Sequence, residues 1–321
     1  MPERAGFQIE KIDLITKEGE RISIALKKID RVFRIMEYNS IRQIINLPWK
    51  GMSKTKLSKI LFTGIMRKLK NIEPRVSRGM CLPLLSPIVA SMNKLKKVVR
   101  IEVFLKDKTF YFILKSHYLM WDTILGIKQI MYTNQYNVSE KNMKNKIIID
   151  AGSYMGDFSL LAVYMGAKRV YAFEPVPNTA NVLEENIKLN KMQDRIVVVR
   201  KALGDENSSG NISFSGGVDG GAKIGEVAGQ KSEKIEIVKL DDFVAKNKIK
   251  RVDFIKMDVE GFEDKLLIGA SKTIKKFKPV LSLSAYHKRD DKERLPKVIR
   301  AIRKDYKIIL NNFCEEDFYC W

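Results

Sequence analysis

The stretch IIIDAGSYMGDF, residues 147–158, decides how the rest of the chain is interpreted. Three isoleucines followed by Asp150 predict a short buried strand that ends in a carboxylate. Gly152 and Gly156 follow, with three residues between them. A glycine-rich loop after a strand is typical of sites that hold a nucleotide-like ligand through the backbone. The stretch therefore predicts a ligand site and leaves open which ligand the loop holds.

The composition of this loop favours a cationic ligand over a dinucleotide. A dinucleotide-binding loop has the pattern G-x-G-x-x-G, whereas this loop is D-A-G-S-Y-M-G and lacks the first glycine. Asp150 would repel a pyrophosphate, but it would suit a ligand with an ammonium group. S-adenosylmethionine is such a ligand, because it has an α-amino group, a sulfonium and no phosphate. Gly152 would let the backbone approach that ligand closely, since a Cβ would intrude.

A second carboxylate supports an adenosine-containing ligand. The stretch YAFEP places Glu174 at the carboxyl end of the next predicted strand. An acidic residue in that position accepts hydrogen bonds from the hydroxyls of a ribose. Glu174 would serve NAD equally well, so it indicates an adenosine cofactor, and the loop selects the methyl donor.

From residue 146 onward the chain alternates predicted strands and helices. The strands are KIIID, RVYAFEP, RIVVVRKALG, RVDFIKMD and KPVLSLSAY, and the helices are FSLLAVYMG and NTANVLEENIKLN, the latter capped by Asn178. Near-continuous apolar strands separated by helices predict an α/β fold with a mostly parallel sheet and helices on both faces. Residues 204–233 are rich in glycine and serine and fit either a lid over the site or a solvated hairpin.

Residues 92–145 are predicted to lead into this core through a β-hairpin at 99–115 and a helix at 121–132. Residues 1–91 are predicted to form a helical extension, with basic amphipathic helices at 22–36 and 53–70. The apolar stripes of these helices fit either packing against the main domain or binding to an acidic membrane surface through residues 22–70.

Net charge is concentrated in the first part of the chain. The whole sequence has a formal charge of +21, and residues 1–91 contribute +10 from 18 basic and 8 acidic side chains. This distribution predicts an anionic partner such as nucleic acid, acidic lipid or an acidic glycan; a lysine-rich background that aids solubility is the alternative.

The three cysteines indicate a reducing compartment. Cys81, Cys314 and Cys320 form no metal-ligand spacing, and the polar N-terminus has no secretory pattern. The longest apolar run, 80–92, is shorter than the roughly 20 residues needed to span a bilayer. We therefore expect a cytoplasmic protein, which would be peripheral to the inner face of the membrane if residues 22–70 bind acidic lipid.

The stretch FIKMDVEGFED, residues 254–264, places Asp258 at another strand end. Together with DAGSYMGDFS, AFEP, KALGD and KLDDF, it resembles the FkbM-type S-adenosylmethionine-dependent methyltransferases over roughly residues 100–321. The resemblance implies a class I methyltransferase (Rossmann-like) sheet. It also implies methyl transfer to a hydroxyl oxygen, usually of a sugar or a natural product.

The resemblance also implies roles for individual residues by position. They are Asp150, Gly152 and Gly156 at the methionine end, Glu174 at the ribose, Ala202 and Asp205 near the adenine, and Asp258 and Glu260 at the transfer site. The implied acceptor is a hydroxyl-bearing small molecule or glycan, and S-adenosylmethionine is the implied cofactor.

A hydroxyl acceptor needs a general base within hydrogen-bond reach of its proton. His287 follows the strand at 279–285, where active-site loops emerge, and is our predicted base; an exposed loop histidine is the alternative. Asp258 competes for this role, but beside a sulfonium it would stay ionised. Glu260 and Glu263 would contact the acceptor from one helical face. With Asp258 they offer oxygen ligands, yet carboxylates near a cationic ligand need no metal, so no metal is expected.

Two other functions compete with this interpretation. An RNA methyltransferase would use the basic first half as a phosphate-binding surface, but DVEG stands where enzymes that methylate base nitrogens usually have an Asn-Pro-Pro-Tyr-like element. Nucleic acid is therefore the less favoured partner. A non-catalytic binding protein with the cofactor fold is the second alternative, and measured donor affinity and turnover would separate it from an enzyme.

Overall fold

A computed structural model describes most of the chain after residue 97 and one segment before it. The described residues are 9–25, 98–105, 107–114, 123–124, 126–214, 222–225, 231–312 and 315–321. They form three β-sheets with helices packed between and around them.

The largest sheet has seven strands in the order β14-β15-β13-β12-β5-β6-β7. The strands are β5 (Ile147–Ala151), β6 (Arg169–Phe173), β7 (Ile196–Val199), β12 (Phe254–Met257), β13 (Val280–Ser284), β14 (Ile308–Asn312) and β15 (Glu316–Cys320). Strands β7, β6, β5, β12 and β13 are parallel, and β15 is antiparallel to both of its neighbours. This arrangement confirms the predicted class I methyltransferase sheet. The strand order reverses between β5 and β12, which is where ligands bind in open α/β sheets.

Helices cover both faces of this sheet. They are α1 (Glu140–Met143), α2 (Asp157–Tyr164), α3 (Pro177–Leu189), α4 (Leu240–Lys246), α5 (Glu263–Gly269), α6 (Ser271–Phe277) and α7 (Asp291–Ile302), with a π-helical segment at Ile127–Tyr132. Successive strand residues point to opposite faces. Ile148 accordingly joins the apolar cluster of α2 and α3, whereas Ile149 joins the cluster of α5, α6 and α7. The two layers of apolar side chains hold the strand ends in place.

A four-stranded antiparallel sheet lies beside α3, with the order β2-β1-β3-β4. Its strands are β1 (Ile9–Thr16), β2 (Arg21–Ala25), β3 (Val98–Leu105) and β4 (Thr109–Ile113). The predicted hairpin at 99–115 is confirmed as β3 and β4. Apolar residues of β1, β3 and β4 belong to the same buried cluster as those of α2 and α3.

The predicted helix at 22–36 is wrong at its start, because Arg21–Ala25 is strand β2 and pairs with β1. Pairing with a partner strand overrides local helical periodicity here. The rest of that helix, and the helix predicted at 53–70, lie outside the described residues. The helix predicted at 121–132 is present in part, as the π-helical segment Ile127–Tyr132. Asn178 is not a cap, since α3 begins at Pro177 with Val176 as its N-cap.

The predicted third strand at 195–204 divides between two sheets. β7 stays in the main sheet, whereas β8 (Ala202–Leu203) pairs with β11 (Lys231–Val238) in a third sheet of order β10-β9-β11-β8. The glycine-rich region contributes β9 (Ser208–Phe214) and β10 (Lys223–Ile224), and β9 is antiparallel to β11. Of the two predictions for this region, the described part therefore fits the hairpin.

Across the described ranges, no helix is both long enough and apolar enough to cross a membrane.

Candidate active site

A cleft of about 350 Å³ opens at the carboxyl ends of β5, β6 and β12. Five of the residues predicted from the sequence line it: Gly152, Glu174, Ala202, Asp258 and Glu260. Four of them come from loops that follow β5, β6 and β12, and Ala202 lies on a short strand after β7; the reversal of strand order brings the loops after β5 and β12 together. The other predicted residues lie behind the wall of the cleft or beside it.

The loop glycines serve packing within the protein. Gly152 has a φ of 75°, and a Cβ on it would overlap the main-chain oxygen of Asp258. Gly156 has a φ of 90°, and a Cβ there would lie 2.6 Å from Cδ1 of Leu183. Glycine alone meets both demands, a left-handed backbone and no side chain. The missing Cβ of Gly152 accommodates the loop that carries Asp258; Gly152 also lines the cleft, and its close approach to a ligand stays a prediction.

Asp150 does not face the cleft. It is fully buried, its Oδ2 accepts a hydrogen bond from Ser159 at 2.6 Å, and its Oδ1 lies 3.3 Å from Nζ of Lys256. Lys256 also donates to the main-chain oxygen of Gly152 at 2.6 Å. In the ligand-free protein the carboxylate of Asp150 is thus paired with a lysine of the same chain, and its contact with the ammonium group of a ligand stays a prediction. Through Lys256, Asp150 stabilises the loop that follows β5.

Lys256 was missed by sequence reasoning, although it lies at the centre of the site. Burial lowers the pKa of Lys256, but Asp150, Asp258 and Asp157 raise it by more. The net pKa is therefore above the ordinary value for lysine. Lys256 is therefore charged at neutral pH. The sequence carried a signal for it, since a lysine in the apolar strand FIKM of a doubly covered sheet must have a buried partner.

Asp157 is a second carboxylate that sequence reasoning missed. It is the first residue of α2, lines the cleft and is buried. Burial raises its pKa to about 6, despite the opposing effects of Lys256 and of the Phe158 main-chain N–H. Of the two aspartates that follow the first isoleucines of β5, Asp157 faces the cleft and Asp150 does not.

Glu174 is held at the cleft wall by two main-chain groups. Its Oε2 accepts from the N–H of Tyr154 at 3.0 Å, and its Oε1 accepts from the N–H of Val176 at 2.9 Å. Each oxygen keeps a lone pair for a ligand hydroxyl. Burial raises the pKa of Glu174 to about 8, even though the two N–H groups and Lys256 lower it. This placement fits the predicted contact with a ribose.

Asp258 is surrounded by hydroxyl groups at the other end of the cleft. Tyr136 donates to its Oδ2 at 2.8 Å, and Ser284 donates to its Oδ1 at 2.9 Å. Burial raises the pKa of Asp258, but the combined effect of Lys256, His287 and these hydroxyls is larger. The net pKa is below the ordinary value for aspartate. Asp258 is therefore ionised at neutral pH and is a weak proton acceptor. We call this end, with Asp258, Glu260 and Tyr286, the acceptor end.

His287 lies behind the acceptor end and not in the cleft lining. Its side chain is only 6% exposed, so it is not an exposed loop histidine. Its Nδ1 lies 2.8 Å from Glu263, and its Nε2 lies 3.6 Å from both Asp258 and Glu260. Burial lowers its pKa, but these three carboxylates raise it to about 10. In the ligand-free protein His287 is thus protonated and lies behind the cleft lining, which argues against its predicted role as the general base.

Glu263 and Asp205 also differ from expectation. Glu263 is fully buried, and its Oε1 accepts from the main-chain N–H groups of Val259 and Gly261, so it shapes the loop and does not contact an acceptor. Asp205 lies outside the cleft lining and pairs with Lys265 at 2.7 Å. Glu260 does line the cleft, and its left-handed φ of 54° turns the loop there.

Comparisons with known proteins find similarity to methyltransferases. A family model described as "Methyltransferase FkbM domain" matches residues 150–317. The hexuronic acid methyltransferase AglP of Haloferax volcanii is 27% identical over 135 residues, which are 42% of this chain and 54% of that protein. Protein arginine N-methyltransferase 6 of Danio rerio is 33% identical over 81 residues, 24% of this chain and 23% of that protein.

Among solved structures, a methyltransferase FkbM from Methylobacillus flagellatus aligns with a TM-score of 0.43 and 22% identity. The alignment covers 62% of this chain and 54% of that chain. The chain thus spans about half of the length of AglP and about a quarter of the length of the arginine methyltransferase.

Proposed function

Because this chain belongs to the FkbM methyltransferase family and S-adenosylmethionine is its cofactor, we propose that it methylates a hydroxyl oxygen of a sugar, glycan or natural-product-like acceptor. The observation that carries the proposal is the polarity of the acceptor end. Carboxylates and hydroxyls from Asp258, Glu260 and Tyr286 line it, and such groups form hydrogen bonds with the hydroxyls of a sugar.

The cofactor fits the remaining wall of the cleft. Glu174 offers free lone pairs to a ribose diol, and Ala202 lies nearby as a small buried residue beside which an adenine would fit. Asp157 offers a carboxylate to the α-amino group. Asp258 is ionised and would stabilise the positive charge of the sulfonium.

The transfer breaks one bond and forms another. When bound, S-adenosylmethionine would supply the methyl group: its S–CH₃ bond would be replaced by an O–CH₃ bond to the acceptor, and a neutral thioether would remain. Glu260, the other carboxylate of the acceptor end, takes the hydroxyl proton and passes it to bulk water. The protein contributes mainly by positioning the acceptor in line with the S–CH₃ bond and by excluding water.

A sugar acceptor has further support from one relative, whose name states a hexuronic acid substrate. Several other relatives are named as protein arginine methyltransferases. The guanidinium of an arginine substrate would also be attracted to carboxylates. The carboxylate of Asp258, however, already interacts with Lys256, Tyr136 and Ser284. A neutral hydroxyl therefore suits the acceptor end better than a second cation.

The test is transfer of a tritiated methyl group from S-adenosylmethionine to an acceptor panel. The panel contains hexuronic acids, neutral hexoses, their nucleoside-diphosphate forms, an arginine-rich peptide and RNA. We expect label in a sugar fraction as an ether that survives mild base. Label confined to peptide or RNA, or label that mild base releases as an ester, would contradict the proposal.

A variant links this activity to the acceptor end. Asp258→Asn should lower turnover by about 10²–10³-fold, because a preorganised charge at the reacting centre is lost. Glu293→Gln is the matched control, since Glu293 is an exposed carboxylate on α7 away from the cleft. Equal turnover in both variants would remove Asp258 from the reaction.

A further inference from the structure

We propose that Asp258, Glu260 and His287 bind a divalent metal ion at the acceptor end of the cleft. Each residue offers one ligand atom, and the three atoms lie within 4.8 Å of one another. The sequence led us to expect no metal, because Glu263 was placed with Asp258 and Glu260 in a purely carboxylate group. The fold replaces Glu263 by His287, which changes the chemistry of the group.

The distances fit a shared ion. Nε2 of His287 lies 3.6 Å from Oδ1 of Asp258 and 3.6 Å from Oε1 of Glu260. Two ligands that each bind an ion at about 2.1 Å with tetrahedral angles lie about 3.4 Å apart. The two observed separations of 3.6 Å are too long for hydrogen bonds. They are close to the distance expected between two ligands of one ion.

His287 is the independent observation that points to a ligand. Its side chain is 94% buried, and its Nε2 forms no hydrogen bond with any residue in the described ranges. This nitrogen points between the two carboxylates. A buried polar atom without a partner is unfavourable, and a metal ion would satisfy it together with both carboxylates.

Glu263 acts on the site through His287. Its Oε1 lies 2.8 Å from Nδ1 of His287, so Nδ1 carries the proton that it donates to this carboxylate. An ion bound here would displace the second proton of the imidazole, and the lone pair on Nε2 would then face Asp258 and Glu260. A carboxylate behind a histidine is the usual support of a metal-binding imidazole. Glu263 is therefore a positioning residue and not a ligand.

The carboxylate ligands are also held in place. Ser284 and Tyr136 fix Asp258 through hydrogen bonds of 2.9 and 2.8 Å. Glu260 has a left-handed backbone, as does Gly261 after it. A left-handed non-glycine residue is costly and persists where the surrounding structure imposes it. This backbone directs the Glu260 side chain toward both the cleft and His287.

The ion would lie at the wall of the cleft, because Asp258 and Glu260 both line it. Three protein ligands leave coordination positions open toward the cleft. One imidazole and two carboxylates suit Mn²⁺ or Zn²⁺. We infer that an acceptor oxygen occupies an open position and is deprotonated more easily there; this inference about the acceptor rests on the proposed function, whereas the metal site rests on geometry alone.

The binding test needs neither donor nor acceptor. Titration of the full chain with MnCl₂, followed by electron paramagnetic resonance of free Mn²⁺, and calorimetry with ZnCl₂ should each show one ion per chain. Glu260→Gln and His287→Ala should each weaken binding by at least 100-fold, and Glu263→Gln by about 10–100-fold. Glu293→Gln should bind like the wild type. Thermal melting checks that each variant is folded, and Glu260→Gln decides the outcome if His287→Ala does not fold.

Wild-type protein that binds neither ion, or Glu260→Gln protein that binds as tightly as wild type, would overturn the metal site. A chelator added to the transfer assay separates the two proposals. If Mn²⁺ binds as expected but no sugar is methylated, the proposed function fails and the metal site stands. If a sugar is methylated equally with and without chelator and no ion binds, the metal site fails and the function stands.

Discussion

At the wall of the cleft, burial sets the charge of the Glu174 carboxyl group by raising its pKa to about 8. The motif AFEP located it at the end of β6, and the structure places it in the cleft lining. Its protonation state depends on burial and on the N–H groups of Tyr154 and Val176, which come from two separate loops. No local sequence pattern records those contacts.

The raised pKa of Glu174 predicts a dependence of stability on pH. Its pKa is about 8 in the folded protein and about 4.3 in an unfolded chain. The folded state therefore favours the protonated form, and the associated stability is present at low pH and is lost as the pH rises through 8. Between pH 6.5 and 8.5, wild type should lose about 2 kcal/mol more unfolding free energy than Glu174→Gln.

Urea denaturation of the ligand-free protein at the two pH values measures this difference. Glu184→Gln is the control, since Glu184 is a half-exposed carboxylate on α3 and should leave the wild-type slope unchanged. Parallel pH slopes for wild type and Glu174→Gln would show that Glu174 ionises normally.

Strand β12 shows what is decided at the scale of an element. Its pattern FIKM predicted an apolar central strand, and all four of its residues are buried. Lys256 is tolerated there because Asp150 on the neighbouring strand β5 lies in register with it. The pair also fixes the loop after β5, because Nζ of Lys256 donates to the main-chain oxygen of Gly152.

Removal of this buried lysine should be strongly destabilising. Lys256→Met should lower the unfolding free energy by about 3–5 kcal/mol, because Asp150 becomes an uncompensated buried charge. The double variant Lys256→Met with Asp150→Asn should recover part of that loss, since the unpaired charge is removed as well. Urea denaturation measures both variants, and a double variant less stable than Lys256→Met would argue against the pair.

The whole molecule joins two sheets through one apolar core and a set of polar contacts. The side chain of Asn190, just after α3, accepts from the main-chain N–H of Tyr111 at 3.0 Å. It also donates to the main-chain oxygen of Tyr111 at 2.7 Å. Asn186 accepts from the N–H of Ile113 at 2.8 Å. These amides pair with the free edge of β4 as a neighbouring strand would, and they attach the antiparallel sheet to the methyltransferase core.

Loss of one of these amides should affect the whole fold. Asn190→Ala leaves both main-chain groups of Tyr111 without these partners and should cost about 1–3 kcal/mol. Because the two sheets share a core, calorimetry should show a single transition that moves to lower temperature. Asn181→Ala is the control, since Asn181 is exposed on the same helix, and it should change stability by less than about 0.5 kcal/mol. A second, separate transition in Asn190→Ala would show that the sheets unfold independently.

The sequence by itself determined the alternation of strands and helices after residue 146, the parallel sheet and the strand ends that carry Glu174 and Asp258. These features follow from periodicity and from short motifs, which are local. The tertiary structure decided the partners of each charge. It paired Lys256 with Asp150, and it brought the carboxylate of Glu263 within hydrogen-bond distance of Nδ1 of His287. Residues that are far apart in the chain meet only when the sheet forms, and burial then fixes which of them are paired, protonated or left to bind a ligand.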